Sequence, residues 1–155
     1  MKKLVCLAFA VVCLSACGSK TEPLKTMKCS VTTENTGYSV ELKVDMEYRG
    51  TEVEKQIQET NMVADSAETY AQLEEFVKQK GYEETFKDLS GVNYTLNYSS
   101  EKQTINELIK MDLTKITTKD YRTISGDKTI DIEKSKIDID KTKEKLEGQG
   151  LTCKK

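Results

Sequence analysis

The 155-residue chain contains no histidine, no tryptophan, a single proline and only three phenylalanines. Histidine is the commonest general base and the commonest transition-metal ligand, so its absence removes the usual basis for both kinds of site. The chain also lacks a Gly-x-Ser-x-Gly motif and a glycine-rich phosphate loop. Asp138–Thr142 begins like a calcium loop, but Lys143 and Gln149 stand where that loop needs Gly and Glu. We therefore predict no catalytic residue, no metal site and no cofactor.

An excess of positive charge is also missing. Charged residues make up 32% of the chain, yet the formal net charge is −2. A mildly acidic surface of mixed sign argues against a partner with a phosphate backbone, so we expect no nucleic-acid binding. Hydrophobic residues make up 37% of the sequence and seven tyrosines are present. This composition supports a single domain with a lean core.

The first 16 residues, MKKLVCLAFAVVCLSA, have the layout of a secretory signal peptide. Lys2 and Lys3 precede the apolar segment Leu4–Leu14, which is 11 residues long. A membrane-spanning helix needs about 20 apolar residues, so this segment is too short to cross a bilayer. We predict that residues 1–16 are removed on export.

Leu14-Ser15-Ala16-Cys17 is similar to the lipobox of bacterial lipoproteins. The resemblance implies that the Cys17 thiol receives a diacylglyceryl group and that Cys17 becomes the mature N-terminus. The alternative is an ordinary signal peptide with an incidental cysteine. The predicted partner of Cys17 is membrane lipid, and the predicted location is the extracytoplasmic face of the cell membrane. Residues 17–27 would then be the lipidated N-terminus and a flexible tether, followed by one domain at 28–155.

Alternating apolar and polar residues predict strands in this domain. The clearest alternation runs from Tyr38 to Tyr48, followed by a turn at 49–51 and a more polar returning strand at 52–63 that suits a sheet edge. Further strands are predicted at 28–33, 92–98 and 105–113. Tyr94 and Tyr98 share a face with apolar neighbours and are predicted to lie in the core.

Two helices are predicted. The first begins at a capping box formed by Asp65 and Glu68 and ends at Gly81. Its predicted core-facing stripe comprises Tyr70, Leu73, Phe76 and Val77. The second runs from about residue 140 to 147. The expected fold is α+β, with a mainly antiparallel sheet of four or five strands, one central helix and one C-terminal helix.

Two cysteines follow Cys17 in the exported chain, Cys29 near the start of the domain and Cys153 near its end. An even number of cysteines in an exported domain suggests a disulfide. A bridge between them would tie together the two ends of a lean domain. The alternative is two independent reduced thiols.

Several segments together resemble the YehR-like lipoproteins, a family of small bacterial envelope proteins of unknown function. They are the lipobox, MEYRGTEVEKQ, FKDLSGVNYTLNYS, IKMDLTKI and the tail KSKIDIDKTKEKLEGQGL. The resemblance covers essentially the whole chain and implies an α+β domain on a lipid anchor. It implies no catalytic or ligand-binding residue, and Cys29 and Cys153 are not features of the resemblance.

Three classes of function remain open at this point. The first is a membrane-anchored, non-enzymatic module that binds an unknown protein or small ligand. The second is a structural or accessory protein of the cell envelope without a small-molecule ligand. The third is an enzyme with an unrecognised site. A concave pocket lined by tyrosine favours the first class, whereas a flat exposed apolar patch favours the second.

Overall fold

A computed structural model describes residues 22–155 of the chain. The strands are β1 (Lys25–Asn35), β2 (Tyr38–Arg49), β3 (Glu52–Ala64), β4 (Val92–Ser99), β5 (Thr104–Asp112) and β6 (Thr152–Lys154). The helices are α1 (Ala67–Lys80), α2 (Tyr82–Phe86), α3 (Thr118–Ser125) and α4 (Ile139–Gly148). None of these helices is long and apolar enough to cross a membrane.

The six strands form one sheet in the order β4-β5-β3-β2-β1-β6. Every neighbouring pair is antiparallel, so the predicted α+β class and sheet type are confirmed. The predicted count of four or five strands is one short, because β6 has only three residues and no alternation long enough to detect. Helices α2 and α3 were also not predicted, since five and eight residues carry little periodicity.

Strand β1 begins at Lys25, three residues before the predicted start of the domain. Lys25 pairs with Tyr48 of β2, and Met27 is fully buried. Residues 25–27 therefore belong to the sheet and not to the tether. The predicted signal peptide and Cys17 lie outside the described residues.

Strand β3 lies in the middle of the sheet, between β2 and β5, so its predicted edge position is wrong. The register against β2 shifts beside Glu54: Lys55 pairs with Glu47, whereas Val53 pairs with Tyr48. This bulge reverses the alternation along β3. Val53 faces the core at 2% exposure, but beyond the bulge Ile57 pairs with Asp45 and lies on the opposite face.

Helix α1 begins one residue later than the capping box predicted. Ser66 is the N-cap, and its hydroxyl accepts a hydrogen bond from the Thr69 amide. Gly81 ends the helix in the left-handed conformation, as predicted. Tyr70 and Val77 are buried, but Phe76 is 54% exposed, because it lies about 100° around the helix from Val77. Phe76 is therefore not a core residue.

The buried side chains form two clusters on the helix-covered face of the sheet. The larger cluster includes buried residues of β1 and β2 such as Met27, Val44 and Met46, together with Phe86 of α2 and Ile139 of α4. The smaller cluster packs α1 against the other end of the sheet. On the uncovered face, neighbouring strands carry ion pairs such as Lys28–Asp45 and Lys55–Glu47. On the covered face, the two hydrophobic clusters meet at a boundary.

Candidate functional site

Polar side chains lie on the covered face of the sheet, at the boundary between the two hydrophobic clusters. Glu107 of β5 pairs with Thr60 of β3, and Ile109 pairs with Gln58 in the next row. These positions face the helices, because the neighbouring residues in the alternation, Ile105 and Ile109, are buried. The core of the sheet is thus interrupted by a carboxylate, a hydroxyl and an amide.

A cleft of about 460 Å³ opens above these residues, between α2 and the end of α3. Its floor comprises Gln58, Glu107, Ile109 and Met111. One wall is formed by α2, and the opposite wall by residues 123–126. Small-molecule sites in proteins measure about 300–1,000 Å³, so this cleft has a suitable size. A depression of equal volume on α1 is lined only by residues of one helix surface between Ala71 and Gln79.

Glu107 is the buried charged residue of the cleft. It is only 9% exposed, and its Oε1 accepts a hydrogen bond of 2.8 Å from the Tyr94 hydroxyl. Within residues 22–155, Glu107 forms no ion pair with a lysine or arginine. Burying a carboxylate without a counter-ion is costly, so this arrangement is unusual for a purely structural position.

Tyr94 supplies the hydrogen bond that holds the Glu107 side chain. Burial raises the pKa of Tyr94, and the hydrogen bond to Glu107 and the negative charge of that carboxylate raise it further. The phenol therefore remains a protonated donor at neutral and moderately alkaline pH. Because the Tyr94 hydroxyl holds Oε1 of Glu107 in place, the position of Oε2 is fixed as well.

Aromatic rings form the α2 side of the cleft. Tyr82 and Phe86 are stacked with ring centroids 5.3 Å apart, and Phe86 meets Tyr94 edge-to-face at 5.3 Å. Tyr82 is 39% exposed and lies at the mouth, whereas Phe86 is buried. The rings thus run from the surface to the side chain that holds Glu107.

The two threonine hydroxyls that line the cleft are already engaged in local hydrogen bonds. Thr85 donates to the Gly81 carbonyl at 2.9 Å, and Thr123 donates to the Lys119 carbonyl at 3.2 Å. In the part of the chain that the structure describes, no cluster of three or more potential ligands could hold a metal ion. The cleft combines a buried acceptor carboxylate, an amide and aromatic surface, which is chemistry suited to binding.

Comparison with known proteins places the chain in a family. A profile described as "Protein of unknown function (DUF1307)" matches residues 29–152, which is most of the chain. The chain belongs to the DUF1307 family. The uncharacterized lipoprotein Lin0239 of Listeria innocua is 30% identical over 143 residues, covering 90% of this chain and 86% of the relative. The family match, this relative and the fold shared with the Escherichia coli YehR protein together confirm the resemblance to YehR-like lipoproteins.

Two solved structures share the fold of this DUF1307 chain. The NMR structure of the Escherichia coli YehR protein superposes with a TM-score of 0.60 at 19% identity, covering 86% of this chain and 92% of YehR. The NMR structure of a protein from Streptococcus pneumoniae TIGR4 gives a TM-score of 0.54 at 12% identity, covering 99% and 96% of the two chains. At these identities the likeness concerns the fold.

The cysteines singled out in the sequence are distant from the cleft. Cys17 lies outside the described residues. Cys29 of β1 lies opposite Cys153 of β6, with their Cα atoms 4.0 Å apart and their sulfurs within bonding distance at 2.03 Å. The DUF1307 match begins at Cys29 and ends one residue before Cys153. The structure therefore brings together the two cysteines for which a bridge was predicted.

Sequence reasoning missed the cleft residues of this DUF1307 protein, although a signal for one of them was present. Glu107 interrupts the apolar positions Ile105, Ile109 and Met111, which alternate along β5. A charged residue at an inward position of a strand is a sign of a special environment. Tyr94 was predicted as a core residue, and it is half-buried behind Glu107.

Proposed function

We propose that this protein is a non-enzymatic binding module, held on the extracytoplasmic face of the membrane by a lipid on Cys17. The cleft above Glu107 is its ligand site. The observation that carries the proposal is a nine-tenths buried carboxylate at the floor of a cleft, held by Tyr94 and lacking a counter-ion among the described residues. Such a group is costly to the fold, and a bound ligand offsets the cost.

The lipid anchor is supported by two independent observations. Residues 14–17 read Leu-Ser-Ala-Cys directly after an apolar segment, and a 30% identical relative carries the name lipoprotein. The diacyl group on Cys17 provides two acyl chains, and stable anchoring requires two such chains. The domain would then be retained at the membrane surface without a spanning helix.

A structural or accessory role without a ligand receives less support. The large exposed hydrophobic side chains of residues 22–155 are Leu24, Phe76 and Tyr82. Leu24 precedes β1, Phe76 lies on α1, and Tyr82 is at the mouth of the cleft. These positions offer no broad flat apolar patch of the kind that permanent protein interfaces bury.

Replacing the lipidated cysteine tests the anchor. In cells fed an alkyne-labelled palmitate, Cys17→Ala should abolish labelling of the protein and leave its signal segment attached or misprocessed. Cys13→Ala is the matched control, because it removes a cysteine from the segment that is discarded, and it should be labelled like the natural protein. Normal labelling of Cys17→Ala would contradict the proposed anchor.

Methionine methyl NMR tests the cleft. Met111 lines the cleft, whereas Met27 and Met46 are fully buried away from it and serve as internal references. Small-molecule fractions of the growth medium and cell envelope should shift the Met111 methyl signal of the lipidated protein in nanodiscs. Thr123→Trp, which fills the cleft mouth, should remove the shift, while Ala71→Trp on the exposed surface of α1 should retain it. A Met111 signal that responds to no fraction would contradict the site.

A further inference from the structure

We infer that the cleft binds a small organic cation, an amine or quaternary ammonium attached to an apolar group, with Glu107 as its counter-ion. This inference rests on the proposed function, because it takes the cleft to be the ligand site and adds the chemistry of the ligand. Three features of the site carry it: the unneutralised charge of Glu107, the sign of the charge around it, and the aromatic wall.

The first feature is the unused bonding capacity of Glu107. An ionised carboxylate has two oxygens that accept hydrogen bonds. Oε1 is bonded to the Tyr94 hydroxyl, and within residues 22–155 Oε2 has no hydrogen bond or ion pair. The side chain is nine-tenths buried, yet Oε2 is not among the fully buried atoms that lack a partner, so it is accessible to a ligand in the cleft. A ligand ammonium would supply both the missing donor and the missing positive charge.

The second feature is the charge around the cleft. Apart from burial, the effects that raise the pKa of Tyr94 include the carboxylates of Glu107 and Glu83. In the part of the chain that the structure describes, the residues that line the cleft include Glu107 but no lysine or arginine. The charge of the lining is therefore negative, which favours a cation over an anion.

The third feature is the row of rings formed by Tyr82, Phe86 and Tyr94. The stacked pair Tyr82–Phe86 extends from the mouth of the cleft to its buried wall. The face of an aromatic ring attracts an organic cation, and its apolar surface packs against a hydrocarbon group. A metal ion would not use this surface, and the described residues offer no cluster of three potential metal ligands. The site thus favours an organic cation with an apolar part.

Matched pairs of cations and neutral analogues test this inference. The probes are benzylamine with benzyl alcohol, 2-phenylethylamine with 2-phenylethanol, and choline with 3,3-dimethyl-1-butanol. The lipidated protein is studied in nanodiscs of digalactosyldiacylglycerol, whose uncharged headgroup neither accumulates cations nor offers an ammonium group to the cleft. At least one cation should shift the Met111 methyl signal saturably, with a dissociation constant at least tenfold below that of its neutral partner. Met27 and Met46 should not move.

Glu107→Gln provides the decisive variant, because it keeps the shape of the side chain and removes its charge. It should eliminate the preference for the cation over the neutral partner. Glu144→Gln is the matched control, since it removes an equal charge from the exposed surface of α4 and should leave the preference unchanged. Unchanged Met27 and Met46 signals verify the fold of each variant. If Glu107→Gln does not fold, the comparison of the paired probes on the natural protein still decides the ligand class.

The possible outcomes separate this inference from the proposed function. Equal binding of a cation and its neutral partner at Met111 overturns the cation assignment but leaves the cleft as a ligand site. A preference that persists in Glu107→Gln overturns the role of Glu107. A Met111 signal that responds to none of the six probes overturns the inference. If the Met111 methyl signal also does not shift with the medium and envelope fractions, the proposed function is overturned.

Discussion

Among the glycines of residues 22–155, Gly91 is the one at which an added Cβ would lie closest to backbone atoms. Its φ is +70°, and a Cβ at this position would lie 2.8 Å from the Asp112 carbonyl oxygen and 2.9 Å from the Ile116 amide nitrogen. Gly91→Ala should lower the free energy of unfolding by about 3 kcal/mol, because it adds a backbone clash to the cost of a left-handed conformation. Urea unfolding followed by circular dichroism measures this change.

Gly126 provides the matched control for Gly91. Its φ is +69°, but a Cβ there would meet no atom within 4 Å. Gly126→Ala should therefore cost only about 1 kcal/mol, which is the conformational part alone. Equal losses of stability in the two variants would show that the close approach of Gly91 to the backbone at 112 and 116 has no energetic consequence.

Individual residues of the site differ in how far the sequence could predict them. Glu107 stands out because it occupies an inward position in a regular alternation along β5. Gln58 does not stand out, because the bulge at Glu54 reverses the facing of every later residue in β3 and no local sequence feature marks that bulge. The position of Gln58 could be known only once the pairing of β3 with β2 and β5 was known.

At the level of elements, the sequence prediction and the structure differ in the residue that caps the start of α1. Ser66 accepts a hydrogen bond of 3.1 Å from the Thr69 amide, whereas the capping box predicted Asp65 in this role. Ser66→Ala should lower the free energy of unfolding by about 1 kcal/mol, because it leaves the Thr69 amide without its partner. Thermal unfolding of the two alanine variants measures the difference.

Asp65→Ala is the control for Ser66→Ala, and it should change stability by less than about 0.5 kcal/mol, as is typical of exposed surface positions. Ser66→Asp should retain the cap, because aspartate is as good an N-cap as serine. A larger loss in Asp65→Ala than in Ser66→Ala would restore the capping box that the sequence predicts.

The elements that the sequence predicts well are the long ones with a strong period. Strand β2 alternates over twelve residues, and α4 is bounded by Asp138, whose side chain accepts from two amides of the first turn. Strand β6 has three residues and is formed only because Cys29 and its neighbours in β1 offer a free edge. Short elements that depend on a distant partner leave no periodic pattern in the sequence.

At the scale of the whole molecule, the two ends of the fold meet in neighbouring strands. Cys29 and Cys153, 124 residues apart, lie opposite each other in β1 and β6. A disulfide that closes so long a loop restricts the unfolded chain strongly, so the double variant Cys29→Ser/Cys153→Ser should lose about 2–5 kcal/mol of stability. Urea unfolding with and without reductant measures the loss, and the natural protein in reductant should match the double variant.

Thiol counting gives an independent check on this bridge. The unfolded natural protein should bind no alkylating reagent before reduction and two molecules afterwards, because the proposed thioether at Cys17 has no free thiol. Two labels without reductant would show that Cys29 and Cys153 are independent thiols. If, in addition, reductant left the urea midpoint unchanged, the predicted contribution of the disulfide to the free energy of unfolding would be contradicted.

The orientation of the domain on the membrane follows from where the chain enters the fold. The Glu22 carbonyl accepts a hydrogen bond of 2.9 Å from Arg49, which also pairs with Glu54 at 3.0 Å. The chain therefore enters beside the β2–β3 turn. Four residues lie between Glu22 and the proposed anchor at Cys17, and the five Cα–Cα steps span at most about 17 Å. The β2–β3 turn should consequently face the bilayer.

Energy transfer to an acceptor dye in the lipid headgroups measures this orientation. Strand β1 has eleven residues and is about 36 Å long, so Thr36 in the β1–β2 turn should lie roughly that much farther from the membrane than Thr51. A donor dye on Thr51→Cys should transfer its energy efficiently, and the same dye on Thr36→Cys should transfer weakly. Inserting fifteen glycine and serine residues after Lys20 should reduce the difference, because a longer tether lets the domain turn. Equal transfer from both positions without the insertion would mean that the Arg49 contact does not orient the domain.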